Sequence, residues 1–305
     1  MDFIPTDLSC EADAPAALLR LLHGARREAV SCSEIAVAVS QAWDIAGPER
    51  HAIAQLAEQA DRSGLRNRYH NPAHTRDVLL SWITLATLHQ GLPPHGRVEL
   101  DRAALAAGLM AALGHDLGHD GTFDGGGAAD ARVKFRLEEI AATRAAAIAA
   151  DCGAGGAAFL VAAILATDTV DGYAALRRQG HSPMQTVASD VHPGLAALAD
   201  PVCWLIAAML HDADLMASAG LSAAEYDYQA ALVSQERGGP PETAAAAAER
   251  FFGVIARDGF YSPAGAAFAP CFRALRALAL RCREGGYESL AATAAALDGG
   301  WPEKA

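Results

Sequence analysis

The sequence contains 305 residues, with 36 acidic side chains against 24 Lys and Arg, so its formal net charge is −12 at pH 7. This balance disfavours nucleic acid as a main partner, because a duplex-binding surface needs cations to neutralise phosphates, and it disfavours adsorption to anionic membranes. Hydrophobic residues make up 52% of the chain but aromatic residues only 6%. Ala and Leu, which are strong helix formers, therefore carry most of the apolar content, and we predict an all-α fold.

Cysteine usage and the N-terminal segment provide two further expectations. None of the six cysteines forms a Cys-x-x-Cys pair, which predicts reduced thiols rather than a disulfide framework. The first residues lack a basic region followed by an apolar run, and no stretch of about 20 residues is continuously apolar. We therefore predict no membrane span and a cytoplasmic location.

In chain order, apolar periodicity and capping residues predict a succession of helices, after an irregular segment over residues 1–13. The predicted helices cover 15–27, 33–42, 48–63, 72–88, 101–113, 129–150, 157–166, 201–210, 222–236, 242–256 and 267–282. Residues 121–127 form a Gly-rich loop without the Lys and hydroxyl residue of a phosphate-binding loop. No linker interrupts the helices, so we expect one compact domain, with 1–64 as a helical segment packed on a core of 65–305.

The candidate functional residues lie in three short motifs at or beside the ends of apolar helices. Five of the 11 histidines fall within these motifs, and His115, Asp116 and His119 follow an apolar stretch that begins near residue 103. A buried polar cluster is costly unless it is paired or binds a metal, and helical proteins build metal sites where helices converge. Two imidazoles and two carboxylates suit a borderline divalent metal, with positions left open for water or substrate. The motifs supply such a set in His74, His115, Asp116 and Asp214.

The same motifs resemble those of a known enzyme family. The segment YHNPAHTRDV at 69–78 is similar to the Tyr-His-Asn-x-x-His-x-x-Asp-Val signature of the class I cyclic nucleotide phosphodiesterases. HDLGHDG at 115–121 resembles their His-Asp-x-x-His-Pro-Gly motif, LATD at 165–168 their Thr-Asp element, and HDADL at 211–215 their His-x-Ala-Asp-Leu element. The resemblance implies a compact multi-helix domain of the HD-domain metal-dependent phosphohydrolase type.

Position by position, the resemblance implies a dinuclear metal centre. The tighter metal, zinc, would be held by His74, His115, Asp116 and Asp214. Asp116 would also bind a second metal, magnesium or manganese, whose other ligands are mostly waters. A water held between two divalent metals forms hydroxide at neutral pH, and the same metals neutralise the phosphodiester for in-line attack.

Further motif residues would surround this centre. The resemblance implies that His70 is the general acid for the leaving oxygen, a task that suits the pKa range of imidazole. His119 would lie near the phosphate and the bridging water, Thr167 would hydrogen-bond a metal-bound water, and Glu138 would match a supporting glutamate of the family. The other motif residues expected around the substrate or the ligands are Tyr69, Asn71, Asp168 and His211.

Several positions depart from the family pattern. Asp120 stands where the family usually has Pro, Asp124 where it often has Asn, and Ala217 where the Asp-Leu-Ser-Asn pattern has its Asn. The glutamine that clamps the purine in mammalian members has no counterpart after Phe251, and Gln235 lies too early in the chain. The metal-binding half of the pattern is therefore intact, whereas the base-recognition half is not evident.

The predicted activity is hydrolysis of a 3′,5′-cyclic nucleotide, or of a related small-molecule phosphodiester, to a monoester. One alternative is an HD-domain phosphohydrolase acting on a non-nucleotide phosphoester. A second is a diiron HD-domain oxygenase, for which His119 and His211 are the only spare ligands. A third is a non-catalytic binding module that has kept the pocket. No oligomeric state is predicted.

Overall fold

The computed structural model describes residues 3–4, 13–121, 133–181, 188–238 and 243–297. Within these ranges the regular elements are helices and no strand is present, which confirms the all-α prediction. The α-helices are α1 (Ala14–Arg27), α2 (Cys32–Ala42), α3 (Gly47–Ala60), α4 (Pro72–Gly91), α5 (Arg102–Gly114), α6 (Arg136–Asp151), α7 (Ala157–Leu165), α8 (Asp171–His181), α9 (Pro201–Ala219), α10 (Ala223–Arg237), α11 (Ala244–Arg250), α12 (Ala269–Gly285) and α13 (Leu290–Ala296). Short 3-10 turns cover Pro193–Ala199 and Ala264–Phe268, and a single π-helical turn covers Phe251–Ile255.

Helices α4, α5, α7 and α9 pack against one another at the centre of the fold. Helix α5 is buried on every side from Ala104 to Gly114, which explains why its sequence is apolar all round rather than amphipathic. Gly108 allows α5 to approach α4 closely, because a Cβ atom there would lie only 1.8 Å from the Trp82 ring. These central helices carry or adjoin the motifs singled out in the sequence.

The N-terminal helices pack on this centre, with α1 against α4, α2 against α3 and α3 against α5. A buried ion-pair cluster fastens α1. The Arg26 guanidinium donates to Asp77 on α4 and to both carboxylate oxygens of Glu225 on α10. The Asp77 and Glu225 side chains are only 6% and 3% exposed, so Arg26 links three helices through charges that water barely reaches.

Helix α9 is the one helix in the described ranges that is long and apolar enough to cross a membrane. Most of that stretch is buried inside the protein. It begins at the N-cap Asp200, whose side chain accepts from the amides of Val202 and Cys203, and Pro201 occupies the first turn. A mostly buried core helix meets the same length and composition criteria, so α9 is weak evidence for a membrane span.

The structure differs from the predicted elements at several places. The helix predicted over 129–150 begins only at Arg136, and most of the Gly-rich loop, with Asp124, lies outside the described residues. The helix predicted over 242–256 ends at Arg250 and continues as the π-helical turn. Helices α8 and α13 were not predicted, because α8 is rich in polar residues and α13 spans only seven residues.

Candidate active site

His74 and the residues just before it are positioned by the start of helix α4. Asn71 is the N-cap, and its side-chain oxygen accepts from the amides of Ala73 and His74. Its side-chain amide donates to the carbonyls of Asn67 and Arg68, which holds the preceding loop against the helix. Asn71 therefore fixes the backbone on which both His70 and His74 stand.

His115 lies at the C-terminal end of α5, where a hydrogen bond to the helix backbone determines which ring nitrogen carries the proton. The Nδ1 atom lies 2.8 Å from the Ala112 carbonyl oxygen. Because a carbonyl only accepts, Nδ1 carries the proton, and Nε2 is left with a lone pair in the neutral ring. That lone pair belongs to the atom that faces His74 and Asp116, and such a backbone contact is how metal-binding histidines are commonly oriented.

Four side chains meet at one point, from the start of α4, the end of α5 and the interior of α9, which continues to Ala219 instead of ending before His211 as predicted. His74 Nε2 lies 3.3 Å from Asp116 Oδ2, 3.2 Å from Asp214 Oδ1 and 3.4 Å from His115 Nε2. His115 Nε2 lies 3.3 Å from Asp116 Oδ2 and 4.0 Å from Asp214 Oδ1. Ligands about 2.0–2.2 Å from a common metal ion would have separations of this size. The set predicted from the sequence is thus assembled in space.

One atom in this group tests whether the residues fit a metal. Asp116 Oδ2 is buried, and it has no hydrogen-bond partner among the described residues, although both imidazole Nε2 atoms lie 3.3 Å away. A buried carboxylate oxygen without a hydrogen bond is costly, and a cation is one of the few groups that can satisfy it. The donor set of two imidazoles and two carboxylates therefore fits a borderline divalent metal.

The charges of this group reinforce one another. Burial disfavours ionisation of Asp116, but the adjacent His115, His70 and His74 outweigh it and hold the pKa of Asp116 well below its usual range. Burial likewise opposes the charged form of His74, but Tyr69 and the two carboxylates raise its pKa well above the usual value. The carboxylates are therefore ionised at neutral pH, which is the state that binds a metal, whereas the protonated His74 ring has to release its proton before its Nε2 can bind one.

His70 is held by Glu236 from the end of α10. Glu236 Oε1 lies 2.5 Å from His70 Nδ1, and Oε2 accepts from the backbone amides of Tyr69 and His70 at 2.6 and 3.0 Å. The side chain of Glu236 is 3% exposed; burial opposes its ionisation, but these hydrogen bonds lower its pKa. Because the carboxylate accepts, the proton of the neutral His70 ring lies on Nδ1, and the lone pair of the ring lies on Nε2.

His119 stacks on His70, with ring centroids 3.8 Å apart and planes 14° from parallel. Its Nδ1 accepts from the Gly121 amide at 3.1 Å. Burial and the neighbouring charge of His70 lower the pKa of His119 to about 4, so its ring is neutral at pH 7. The Asn67 side-chain amide donates to the carbonyls of both His70 and His119, at 2.9 and 3.0 Å, and so ties the two loops together.

Two cavities adjoin these groups. The smaller, of about 70 Å³, is lined by His70, His115, Asp116, His119, Leu137, Glu138, Thr167, Thr169 and Asp214. The larger, of about 800 Å³, contacts His70, His119 and Asp214 and extends along α10 and α11. A volume of this size is typical of small-molecule sites. The smaller cavity is large enough for about two water molecules.

Comparisons with known proteins identify the fold. No family model and no curated relative matches the sequence. Among solved structures, the chain is similar to LmjPDEB1 in complex with IBMX, with a TM-score of 0.56, 17% identity and 93% of each chain covered. It is also similar to the phosphodiesterase domain of the Salpingoeca rosetta rhodopsin phosphodiesterase, with a TM-score of 0.53, 16% identity and 94% and 97% of the two chains covered. The chain has the fold of a class I cyclic nucleotide phosphodiesterase catalytic domain.

Within this phosphodiesterase fold, the other motif residues occupy different surroundings. Thr167 lines the smaller cavity, although its hydroxyl donates to the Ile164 carbonyl. Glu138 lines both cavities, and Tyr69 lines the larger one. Asp168 lines the larger cavity and accepts from the amides of residues 170–172 at the start of α8 and from the amide of Phe135, so it also supports two helix starts.

His211 and its neighbour Asp212 lie away from the cavities. His211 is buried between the rings of Tyr173 and Tyr261, and its Nδ1 is 2.9 Å from Asp212 Oδ1. Asp212 accepts from the backbone amides of Tyr261 and Ser262 and from the Ser262 hydroxyl. In this phosphodiesterase fold the pair therefore fastens the segment before α12, and His211 lines neither cavity.

Glu236 is the residue of the candidate site that the sequence interpretation missed. It is a single acidic residue in the polar last turn of α10, and acidic residues on helix surfaces are common. Its partner His70 lies 166 residues earlier in the chain. No sequence motif marks Glu236, but a histidine that acts as a general acid needs a hydrogen-bond acceptor for its second ring nitrogen. A search for an acidic partner of His70 could therefore have found it.

Proposed function

We propose that this protein is a metal-dependent phosphodiesterase that hydrolyses a 3′,5′-cyclic nucleotide, or a related phosphodiester, to a monoester. The observation that supports the proposal best is one juxtaposition. A cluster of two buried His and two partly buried Asp side chains, with an unsatisfied carboxylate oxygen, lies beside a cavity that is also lined by the Glu236-bound His70. Metal ligands and a positioned proton donor are the two parts that phosphodiester hydrolysis with a poor leaving group requires.

Under this proposal, the residues of the cluster would hold two metal ions. His74, His115, Asp116 and Asp214 would hold the tighter ion, with zinc as the expected metal for two imidazoles and two carboxylates. Asp116 and the waters of the smaller cavity would hold the second, with Mg²⁺ or Mn²⁺ expected for an oxygen-rich shell. When bound, such ions neutralise the phosphodiester and lower the pKa of water.

The remaining chemistry belongs to His70 and its partners. In the protonated ring, Glu236 would accept a hydrogen bond from Nδ1, and the Nε2 proton would be transferred to the leaving alkoxide oxygen. An alkoxide is a poor leaving group, so this proton transfer contributes most when the alcohol is weakly acidic. His119 covers one face of the His70 ring and limits its rotation, which keeps Nε2 directed at one place.

Turnover assays test the proposal directly. The metal-loaded protein should hydrolyse cyclic AMP or cyclic GMP in the presence of Mg²⁺ or Mn²⁺, and it should also hydrolyse bis(4-nitrophenyl) phosphate. His70→Ala should reduce turnover of the cyclic nucleotide by roughly 10²–10⁴-fold at unchanged metal content. The loss should be smaller for the nitrophenyl ester, whose leaving group needs little protonation. Absence of hydrolysis of every phosphoester by the metal-loaded protein would refute the proposal.

The same assays separate the alternatives. A non-nucleotide phosphohydrolase would turn over the aryl ester but neither cyclic nucleotide, and a binding module would turn over nothing. A diiron oxygenase needs further histidine ligands, but His119 stacks on His70 and His211 is held by Asp212 outside both cavities. Metal analysis showing two protein-bound irons would support that reading.

A further inference from the structure

Asn67 lies between the two loops that carry the stacked imidazoles. Its side-chain nitrogen donates to the carbonyl oxygen of His70 at 2.9 Å and to that of His119 at 3.0 Å. A side-chain amide nitrogen carries two protons, so these two hydrogen bonds use both of them. A serine hydroxyl could serve one of the acceptors, and an aspartate carboxylate could serve neither. The residue type at position 67 therefore matches the two acceptors that it contacts.

The contact with Asn67 holds the main chain of His70 from one side, and Glu236 holds it from the other. The His70 amide donates to Glu236 Oε2 at 3.0 Å, and the His70 carbonyl accepts from Asn67. The peptide groups before and after His70 are therefore both fixed, while Glu236 Oε1 also contacts the ring at Nδ1. Asn67 itself lines neither cavity, so an effect on a substrate has to pass through the residues that it holds.

The main chain of His119 is held in a similar way. Its amide donates to the Asp116 carbonyl at 3.1 Å, and its carbonyl accepts from Asn67. The stack of the His119 and His70 rings, with centroids 3.8 Å apart, depends on the relative position of the two backbones that Asn67 joins. Because each ring moves with its backbone, a shift of either loop would change where Nε2 of His70 points.

We propose that Asn67 is a positioning residue for the proton transfer, because it keeps Nε2 of His70 directed at the leaving oxygen. The inference rests on the proposed function, in which the Nε2 proton passes to that oxygen as the bond between the oxygen and phosphorus breaks. Catalysis by positioned groups is sensitive to geometry, and a misplacement of about 1 Å can reduce the rate by roughly 100-fold. Asn67 contributes to this step through the placement of His70 and His119.

A comparison of two leaving groups tests this role. Asn67→Ala should lower kcat for a cyclic nucleotide by roughly 10- to 100-fold, with KM and metal content nearly unchanged. The loss should stay below about 3-fold for bis(4-nitrophenyl) phosphate, because nitrophenolate leaves with little protonation. Asn67→Asp keeps the size of the side chain but removes both donors, so it should show the same difference. Equal losses on the two substrates, or full activity of both Asn67 variants, would overturn the inference.

Ser63→Ala is the matched control. The Ser63 hydroxyl accepts from the Gly118 amide at 3.2 Å, so it joins the same two segments of the chain without contacting a histidine. Its removal should leave the ratio of the two turnover rates unchanged, and thermal unfolding checks that each variant is folded. A change of this ratio in Ser63→Ala as large as in Asn67→Ala would indicate general loosening of the loops and would overturn the specific role of Asn67.

Nuclear Overhauser effects between the ring protons of His70 and His119 measure the stack without turnover. Rings whose centroids are 3.8 Å apart bring their carbon-bound protons close enough for a strong effect. The wild type and Ser63→Ala should show this effect, and Asn67→Ala and Asn67→Asp should lose most of its intensity. Retention of the full intensity by both Asn67 variants would overturn the inference.

The two measurements also separate this inference from the proposed function. Loss of the ring contact in the Asn67 variants, without hydrolysis of any phosphoester by the metal-loaded wild type, would refute the phosphodiesterase activity and support the placement of His70 by Asn67. Hydrolysis by the wild type, with an unchanged ratio of the two turnover rates in Asn67→Ala, would support the activity and refute the role of Asn67.

Discussion

The protein contains two largely buried clusters of charge that are built in opposite ways. In the first, Arg26 donates to Asp77 and Glu225, and the Gln229 side chain donates to Glu225 as well. In the second, His74 and His115 face Asp116 and Asp214, and Asp116 Oδ2 has no hydrogen-bond partner among the described residues. Both carboxylates of the first cluster are hydrogen-bonded within the protein, whereas the second cluster pairs its charges but leaves one carboxylate oxygen without a hydrogen bond among the described residues.

This difference distinguishes a structural ion pair from a candidate metal site. Hydrogen-bonded donors from three helices surround the carboxylates of the first cluster, so an added cation would gain little there. The second cluster places one oxygen of Asp116 and one of Asp214 3.3 and 3.2 Å from the Nε2 atom of His74. We therefore expect its stability to depend on a bound metal, whereas the Arg26 cluster should not respond to metals.

The largest effect is expected from Asp214→Ala. This change removes one of four proposed ligands, and metal affinity should fall by more than about 100-fold, beyond the loss usual for residues behind the ligands. Metal analysis after dialysis measures the affinity, and turnover should be lost with the metal. His211→Ala, on the same helix but outside both cavities, is the control and should keep the metal. Full metal content in Asp214→Ala would contradict the proposed ligand set.

Chelation should produce the next largest effect. A metal at 1,000 times its dissociation constant stabilises a folded protein by about 4 kcal/mol, so its removal by EDTA should lower the Tm by about 5–10 °C. Asp214→Ala should show no such shift, because it has no metal to lose. An unchanged Tm of the wild type on chelation would show that the cluster is stable without a cation.

Arg26→Met tests the opposite cluster. Loss of the Arg26 guanidinium leaves the buried carboxylates of Asp77 and Glu225 without their cation. We therefore expect a decrease of about 3 kcal/mol in the free energy of unfolding. The Arg26 side chain is 18% exposed, so the value lies at the low end of the usual range. Arg27→Met, whose side chain is 75% exposed, is the control and should change stability by less than about 0.5 kcal/mol. Metal content should be unchanged in both variants.

The smallest effect concerns the pH dependence of the Arg26 cluster. Burial opposes ionisation of Glu225, but its contacts with Arg26 lower its pKa below the ordinary value of 4.5. The unfolded chain then binds more protons as the pH falls below about 4.5, so this contribution to stability is present above that pH and is lost in acid. Urea unfolding in EDTA between pH 3.5 and 6 should show a shallower acid loss for Glu225→Gln. Identical slopes would contradict the prediction.

Part of this organisation could be predicted from the sequence. The all-α fold follows from the Ala and Leu content, and His115 and Asp116 stand out because they end an apolar helix. Apolar surroundings similarly mark two other residues. These are His74, near the start of the helix that begins at Pro72, and Asp214, within α9. Charged or polar side chains on buried helices are costly, so their presence is informative.

Glu236 and Arg26 could not be predicted in the same way. Both lie near the polar ends of amphipathic or polar helices, where charged residues are common. Their partners are far away in the chain, 166 residues for Glu236 and His70 and 199 residues for Arg26 and Glu225. Such pairs are determined by how the helices pack, and no local periodicity reports that packing.

The position of Asn67 has a consequence for the loop that follows Asp120. Asn67 holds His70 and His119 through their main-chain carbonyl oxygens, which every amino acid possesses. Gly121 is constrained beside it, since its φ is +77° and a Cβ atom would lie 2.7 Å from the Asn67 side-chain oxygen, and Gly64 is constrained as well, with a φ of +60° and only 2.1 Å from such a Cβ to the His70 carbonyl oxygen. A substitution of either histidine therefore leaves its contact with Asn67 in place, because the acceptor belongs to the main chain. Exchange of Asn67 itself, in contrast, would release both loops at once.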